Sequence, residues 1–297
     1  MARYQYKYRK PQPRVRISIA QVFWTLVALV LLAVPFFWAT TLTVEEYTLK
    51  VHDLPDNLKN LRIVYFSDIH QGPWFSQDRV NRLISKVNGL SADVVILGGD
   101  YANDSYGAIE FFKNMPDIQA RLGVYAVVGN HDRTMPESNL NLLVAEMQNK
   151  GVTALVNNVA SIKLGKTYLY IAGVDDYYNG YPRVEEVAAQ VSQDDFVILA
   201  GHTPDLLPEI QDARDKNGNS HWFDLALFGH THGGQVNLLG MSPFRKLSPA
   251  VGTRYMSGWM EENRASVLVS NGVGTSHFPV RLFATPQIHL ITLKKGS

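Results

Sequence analysis

The sequence contains no cysteine among its 297 residues. This absence excludes structural disulfides, zinc sites built from thiolates and a cysteine nucleophile. Acidic residues are missing from the start of the chain, where neither Asp nor Glu precedes Glu45. Internal repeats and low-complexity tracts are missing as well, so we expect the part that follows residue 38 to form a single domain.

The net charge of +1 conceals an uneven distribution of charge. Six Lys and Arg side chains lie within residues 1–16, and the other 22 face 27 acidic side chains, a balance of −5. An acidic balance disfavours strong affinity for nucleic acid, so we expect no specific nucleic-acid partner. Apolar residues make up 46% of the chain and charged residues 19%, which is typical of a globular protein with a sizeable core.

Residues 17–38 carry no charge and include an almost purely aliphatic run at 26–34. About 20 apolar residues suffice to span a bilayer. Basic flanks tend to stay in the cytoplasm, so we predict a basic cytoplasmic tail over 1–16 and an uncleaved signal-anchor helix over 17–38. The protein would then be a single-pass protein of the cell membrane, with the rest of the chain extracytoplasmic. A buried core helix and a cleaved signal peptide are the alternatives, although Trp38-Ala39-Thr40-Thr41 is a poor cleavage site.

The remainder of the chain begins as an alternation of strands and helices. A linker and a first strand are predicted over 39–60, followed by strands at 61–66, 94–97 and 124–128. Helices are predicted at 76–88, at 108–113 and after Ser138 as an N-cap. The second half is richer in strands, which are predicted at 154–157, 168–172, 196–200, 225–228, 266–269 and 288–293. Such alternation predicts an α/β layered protein.

Polar residues follow the apolar runs at five places. These junctions are Ser67-Asp68-Ile69-His70, Gly98-Gly99-Asp100, Gly129-Asn130-His131-Asp132, Gly201-His202 and Gly229-His230-Thr231-His232. Layered α/β proteins place their sites at the carboxyl ends of strands, so we expect the five junctions to converge on a single site. Each residue taken alone has an ordinary structural explanation, but five of the nine histidines occupy such junctions.

Eight residues of these junctions are the candidate site residues, and they supply two carboxylates, one amide and five imidazoles: Asp68, His70, Asp100, Asn130, His131, His202, His230 and His232. Nitrogen and oxygen ligands suit Mn, Fe, Zn or Ni better than Cu(I), and so many groups suit two ions that share a carboxylate. If the strand ends are extended, Asp68 and His70 point to the same side, as do His230 and His232. We expect the other four histidines to be structural or at the surface, namely His52, His221, His277 and His289. For His277, which lies next to a glycine-rich segment, a place in the cleft is the alternative.

The ordered set of motifs resembles that of the calcineurin-like metallophosphoesterases, over residues 61–293. The motifs are Asp68-x-His70, Gly99-Asp100, Gly129-Asn130-His131-Asp132, Gly201-His202 and Gly229-His230-x-His232. The preceding apolar segment, together with 252–255, 270–274 and 279–281, resembles the membrane-anchored bacterial branch of that family. The resemblance implies a four-layer α/β/β/α sandwich with two metal ions between the sheets, in a domain over 61–297.

The resemblance also implies a role for each polar residue. Asp68, His70 and His232 would hold the first ion, Asn130, His202 and His230 the second, and Asp100 would bridge them. Two divalent cations (Mn, Fe or Zn) can hold a bridging hydroxide that attacks phosphorus. His131 would be the catalytic acid that protonates the leaving group. Asp132 would either orient His131 or turn the chain, and we favour the turn.

The substrate is less well indicated than the reaction. Aromatic and amide side chains expected near the mouth of the site could meet a base, a sugar or an acyl chain, or could pack in the core: Trp74, Tyr101, Asn103, Tyr106, Tyr177, Tyr178, Tyr181 and Trp259. A membrane anchor favours phosphoester or pyrophosphate bonds of a lipid or lipid-linked sugar phosphate. The alternatives are an exported nuclease or nucleotide phosphodiesterase on the same fold, and an inactive membrane-tethered protein that binds phosphate esters. The sequence indicates no oligomeric state.

Overall fold

The structure is a computed structural model and describes residues 18–134, 136–238, 242 and 252–296. The helices are α1 (Ile19–Trp38), α2 (Gln77–Gly89), α3 (Ser105–Asn114), α4 (Glu137–Asn149), α5 (Val184–Ala188) and α6 (Leu207–Asp212). The strands of the first half are β1 (Thr43–Val51), β2 (Arg62–Phe66), β3 (Val94–Leu97), β4 (Val124–Ala126), β5 (Val152–Ala154) and β6 (Asn158–Leu164). Those of the second half are β7 (Thr167–Gly173), β8 (Phe196–Ala200), β9 (Leu225–Phe228), β10 (Gly258–Glu262), β11 (Ala265–Val269) and β12 (Gln287–Lys295).

The strands form two six-stranded sheets. The first has the order β1-β12-β2-β3-β4-β5, in which β2 to β5 are parallel and β12 runs antiparallel to β2. The second has the order β10-β11-β9-β8-β7-β6, with four parallel central strands and antiparallel strands at both edges. The chain therefore enters the first sheet, crosses to the second, and returns to the first with its last strand.

Side chains that alternate along each strand divide the core into layers. On β2, Val64 and Phe66 pack with the apolar faces of α2, α3 and α4. Ile63 and Tyr65, on the opposite face, pack against the second sheet. The outer face of the second sheet packs against α5 and α6. This arrangement confirms the predicted α/β/β/α sandwich.

Helix α1 stands apart from these layers and has exposed side chains along almost its whole length. Its first turn is closed by Ser18 and Gln21, whose side chains each accept a hydrogen bond from the other residue's backbone N–H. By length and composition it is the one helix among the described residues that could cross a membrane. It agrees with the predicted apolar segment over 17–38, whereas the predicted tail over 1–16 lies outside the described residues.

Several predicted boundaries were wrong. Helix α4 begins at Glu137 with Pro136 as its N-cap residue, so Ser138 lies inside the first turn and is not the N-cap. The predicted strand at 154–157 ends at Ala154, because the next three residues carry the chain from the first sheet to the second. Edge strands β6 and β10 were not predicted, since both are half-exposed and lack a continuous apolar run.

Candidate metal centre

The structure brings all eight predicted site residues to one end of the two sheets. Asp68 and His70 follow β2, Asp100 follows β3, Asn130 and His131 follow β4, His202 follows β8, and His230 and His232 follow β9. Five of the eight are buried, and Asn130, His131 and His230 are half-buried. Their ligand atoms form two clusters, each with side chains from both sheets, and a third group, made of His70, Asp100 and His131, overlaps these two.

The first cluster consists of Asp68, His70 and His232. Its ligand atoms all lie within 4.8 Å of one another. The Nε2 atoms of the two histidines are 3.2 Å apart, and Oδ1 of Asp68 is 3.6 Å from Nε2 of His232. Two imidazole nitrogens and a carboxylate oxygen that converge in this way can form part of a coordination shell.

The second cluster consists of Asp100, His202 and His230, whose ligand atoms also lie within 4.8 Å of one another. Nδ1 of His230 is 2.9 Å from Oδ1 of Asn130, which adds the amide to the cluster. Burial lowers the pKa of both His70 and His230 to about 4, so these imidazoles are neutral near pH 7 and have a nitrogen lone pair to offer.

Asp100 belongs to both clusters. Its Oδ2 lies 3.1 Å from Nε2 of His202 in the second cluster and 3.5 Å from Nε2 of His70 in the first. One carboxylate oxygen is therefore within reach of both groups of ligands. This is the geometry that a carboxylate shared by two ions requires.

The surroundings of His202 test whether a cation fits. Its Nδ1 lies 2.7 Å from the carbonyl oxygen of Gly98, which can only accept, so Nδ1 carries the proton. Nε2 is buried and makes no hydrogen bond among the described residues, although the carboxylate of Asp100 is close to it. A lone pair on Nε2 and a carboxylate that face one another in a buried space need a positive charge between them, which a proton or a metal ion can supply. Burial disfavours a charged imidazole here, but the carboxylate of Asp100 outweighs burial and raises the pKa of His202. The residues present therefore fit a cation.

The backbone is left-handed at five site residues in three of the junctions. The φ angles are 55° at Asp68, 48° at His70, 56° at Asp100, 69° at His230 and 52° at His232. The prediction of extended strand ends was therefore wrong. Asp68 and His70 nevertheless share a cluster, and His230 and His232 lie in neighbouring clusters. Positive φ is uncommon for residues other than glycine and recurs at functional sites, where surrounding contacts hold it in place.

Two glycines are required because carboxylates pass close to their backbones. A Cβ on Gly229 would lie 2.4 Å from Oδ2 of Asp68, and one on Gly129 would lie 2.3 Å from Oδ1 of Asp100. Real Cβ contacts are not this short, so any side chain at either position would displace the carboxylate. These glycines let the loops approach the clusters, as expected from the sequence.

His131 and Asp132 have separate environments. Nδ1 of His131 lies 2.9 Å from the carbonyl oxygen of Asn103, which leaves Nε2 free to face the clusters, and its ring centroid is 4.9 Å from that of His70. The carboxylate of Asp132 accepts hydrogen bonds from three backbone N–H groups, at Asp100, Tyr101 and Gly129. Asp132 therefore joins the loop after β3 to the loop after β4, in keeping with a role in the turn.

Two of the aromatic residues predicted at the mouth lie elsewhere. Tyr101 is buried, and its hydroxyl donates to the carbonyl of Val127, because its ring packs in the core. Trp259 stacks on Tyr47 with ring centroids 4.1 Å apart, where edge strands β10 and β1 meet. The exposed aromatic residues among those predicted are Trp74, Tyr106, Tyr177, Tyr178 and Tyr181.

The remaining histidines behave as predicted from the sequence. His289 is buried, with Nε2 3.0 Å from Oγ of Ser270, and His52 is exposed beside Asp53. His221 is half-buried and His277 is exposed, so neither lies in the clusters among the described contacts.

Sequence reasoning assigned no role in the site to Arg281. This arginine is fully buried, donates to the carbonyls of Asn271, Gly274 and Ala284, and lies 3.2 Å from Nδ1 of His232. Burial lowers its pKa to about 9. The guanidinium of Arg281 thus holds the loop that lies behind the first cluster. In the sequence, the available signal was a charged residue among the apolar residues of 278–284.

Comparison with known proteins agrees with this geometry. The model of the calcineurin-like phosphoesterase family matches residues 61–234. The metallophosphoesterase YkuE of Bacillus subtilis (strain 168) is 28% identical over 253 residues, which cover 84% of each chain. A metallophosphoesterase of Aquifex aeolicus is 29% identical over 265 residues, 86% of this chain and 94% of the relative. A transmembrane protein with a metallophosphoesterase domain from Danio rerio is 26% identical over 85% of this chain and 57% of its own length.

Proposed function

The chain belongs to the calcineurin-like phosphoesterase family, whose members hydrolyse phosphoesters, and from this premise we propose that it is a membrane-anchored enzyme with two metal ions. Its substrate in this proposal is a lipid or lipid-linked sugar phosphate, cleaved at a phosphoester or pyrophosphate bond. The observation that carries the proposal is the position of Asp100, with one carboxylate oxygen close to histidines of both clusters.

In this proposal Asp68, His70 and His232 hold one ion, and Asn130, His202 and His230 hold the other. The donor set contains nitrogen and oxygen but no sulfur, which suits Mn, Fe or Zn. Such ions, when bound, supply Lewis acidity at the phosphate oxygens and a water of lowered pKa.

His131 acts as the acid in the proposed reaction. The carbonyl of Asn103 accepts from Nδ1 and thereby holds the ring, so that a proton on Nε2 of the charged form can pass to the leaving oxygen. The backbone N–H of His131 donates to Oδ1 of Asp100 over 2.9 Å, which ties the acid to the shared ligand. The acid and the clusters are therefore fixed relative to one another.

Two features support an amphiphilic substrate. The ring of Tyr178 lies 5.3 Å from that of His230, and Nδ2 of Asn179 donates to the carbonyl of Asn130, so an exposed tyrosine-bearing loop borders the second cluster. A sugar or base ring can stack on such a loop.

The second feature is the connection between α1 and the domain. Strand β1 begins at Thr43, only a few residues after α1 ends at Trp38. This short connection keeps the domain beside the membrane that α1 is proposed to cross, on its extracytoplasmic side.

A substrate panel tests this function on the full chain in detergent micelles. Bis-p-nitrophenyl phosphate, single-stranded DNA, a phospholipid extract and a lipid-linked sugar diphosphate would be compared, with Mn²⁺, Fe²⁺ and Zn²⁺ supplied singly. We expect metal-dependent hydrolysis that favours the lipid substrates. Preferential cleavage of DNA would indicate the nuclease alternative, and no hydrolysis of any ester with any metal would indicate a binding protein.

The shared ligand provides a second test. Asp100→Asn keeps the size of the side chain but removes its charge, so we expect metal analysis to find fewer than two ions in this variant. Asp194→Asn is the matched control, because Asp194 is exposed and lies outside both clusters. Two tightly bound ions in Asp100→Asn would contradict the assignment of Asp100 as the shared ligand.

A further inference from the structure

The end of helix α1 is fixed to the catalytic domain. The backbone N–H of Arg281 donates to the carbonyl oxygen of Pro35 over 2.9 Å. The ring of Trp38, the last residue of the helix, meets that of Phe283 edge-on with centroids 5.2 Å apart. The loop at 276–284 therefore lies against the last turn of α1.

A second loop is held at the same place by a basic side chain. Arg79 donates through Nη2 to the carbonyl of Ala39, directly after α1, and through Nη1 to the carbonyl of Trp74. Lys86 donates to the carbonyl of Leu42 in the short connection that follows. The loop at 71–76 thus also lies beside the end of α1, with two cationic residues of α2 around it.

These two loops expose three aromatic side chains, which we call the aromatic rim: Trp74, Phe278 and Phe283. Their exposed fractions are 53%, 59% and 63%. Large exposed aromatic residues that gather in one region of a soluble surface mark an interaction site. Aromatic residues are also enriched at the level of the lipid headgroups, because one part of the side chain can contact lipid while another part contacts water.

We propose that the aromatic rim inserts into the surface of the bilayer that α1 crosses, so that the catalytic domain itself docks on the membrane. The depth of the rim follows from α1. Twenty residues at 1.5 Å each give about 30 Å, the thickness of the hydrocarbon core, so Trp38 lies at one interface. Phe283 contacts Trp38 and lies at the same level. Arg79 and Lys86 add positive charge beside the rim.

Docking in this way orients the metal centre. The loop at 71–76 directly follows His70, and the loop at 276–284 carries Arg281, whose guanidinium lies 3.2 Å from Nδ1 of His232. The first cluster is therefore on the membrane side of the domain, where a phosphate on a lipid headgroup can reach it from the bilayer. This inference rests on the proposed spanning role of α1, but not on any particular substrate.

The absence of cysteine makes a direct test possible, because each introduced cysteine can be spin-labelled alone. Phe278→Cys, Phe283→Cys and Trp74→Cys would be labelled in the full chain, reconstituted in phosphatidylcholine vesicles with some phosphatidylglycerol. Collision of the label with oxygen, which is enriched in lipid, is compared with collision with a water-soluble nickel complex. Two controls accompany them: Leu29→Cys within α1, and Tyr168→Cys, an exposed aromatic position at the amino end of β7.

At the three rim positions and at position 29, we expect a ratio of oxygen to nickel collisions higher than that of a label in water. At position 168 we expect the same ratio as for a label in water. A raised ratio at 29 with aqueous values at the rim would overturn the docking and leave the anchor standing. If the collision ratio at position 29 were also that of a label in water, both the docking of the domain and the membrane anchor would be overturned. A raised ratio at 168 would also overturn it, because the domain would then adsorb without a preferred face.

Discussion

Replacement of Asp132 separates a role in the fold from a role in catalysis. The carboxylate is 1% exposed, and it accepts from the N–H groups of Asp100 and Gly129 over 2.8 Å each and from Tyr101 over 3.0 Å. Asp132→Ala leaves three buried donors without partners, at about 1–3 kcal/mol each, or about 3–9 kcal/mol together. That is a large part of the roughly 5–15 kcal/mol by which a domain is stable, so we expect this variant to fold poorly or not at all.

Asp132→Asn is the milder change and the more informative one. Its amide oxygen can still accept from Asp100 and Gly129, while its NH₂ group opposes the N–H of Tyr101. The cost is one unpaired donor, about 1–3 kcal/mol, which corresponds to a Tm lowered by about 2–12 °C. Because the displaced loops carry Asp100 and Asn130, we also expect a lower metal content.

Thermal unfolding and metal analysis of the purified full chain check both expectations. Asp104→Ala is a matched control, since Asp104 accepts a single exposed hydrogen bond, from Gly107 at the start of α3, and its loss costs about 1 kcal/mol. If Asp132 served instead to orient His131, the Asn variant would keep its Tm and both ions and lose only its rate. That result, or an Ala variant with the wild-type Tm, would refute the reasoning.

Three further predictions concern the acid, a glycine and the half-buried carboxyl of Asp224. His131→Ala should keep both ions and lower the turnover of bis-p-nitrophenyl phosphate about 10²–10⁴-fold, and loss of metal would contradict its role as the acid. Gly229→Ala should reduce metal content by displacing Asp68, whereas Gly89→Ala, with open space around it, should not. Burial raises the pKa of Asp224 to about 6, so the folded chain binds more protons than the unfolded chain between about pH 4 and 6, and stability falls as pH rises through that window. Asp224→Asn should therefore raise the Tm at pH 7.5, by an amount worth up to about 3 kcal/mol, and the gain should vanish below pH 4.

The sequence predicted the fold well where strands are buried on both faces. The runs at 61–66, 94–97, 196–200 and 225–228 became β2, β3, β8 and β9, since a continuous apolar stretch has few other ways to be buried. Prediction failed at the edges. Strand β6 is only half-buried. Leu155 and Val156, directly after β5, are apolar like a strand but belong to the crossover between the sheets, and no local pattern shows that topology.

The site was predicted as a set of residues but not as a geometry. The type and position of each ligand candidate are visible in the sequence because polar residues interrupt apolar runs. The sequence does not show which candidates contact one another, because Asp68 approaches His232 and Asp100 approaches His202 only after the two sheets pack together. Arg281 was missed for the same reason, because its contact with His232 joins distant parts of the chain and its role depends on burial.

The left-handed backbone at the junctions explains why the loops need so many hydrogen bonds. Five residues at positive φ cost on the order of 1–3 kcal/mol each, or about 5–15 kcal/mol in total, with Asp and His at the low end of that range. A cost of this size approaches the whole stability of a domain, so the fold must offset it locally. The bonds that do so are on the loops themselves: Asp68 accepts from the N–H of His230, and Asp132 accepts from three more. These hydrogen bonds of the protein hold the loops, and with them the clusters, in place, which is what a preorganised metal centre requires.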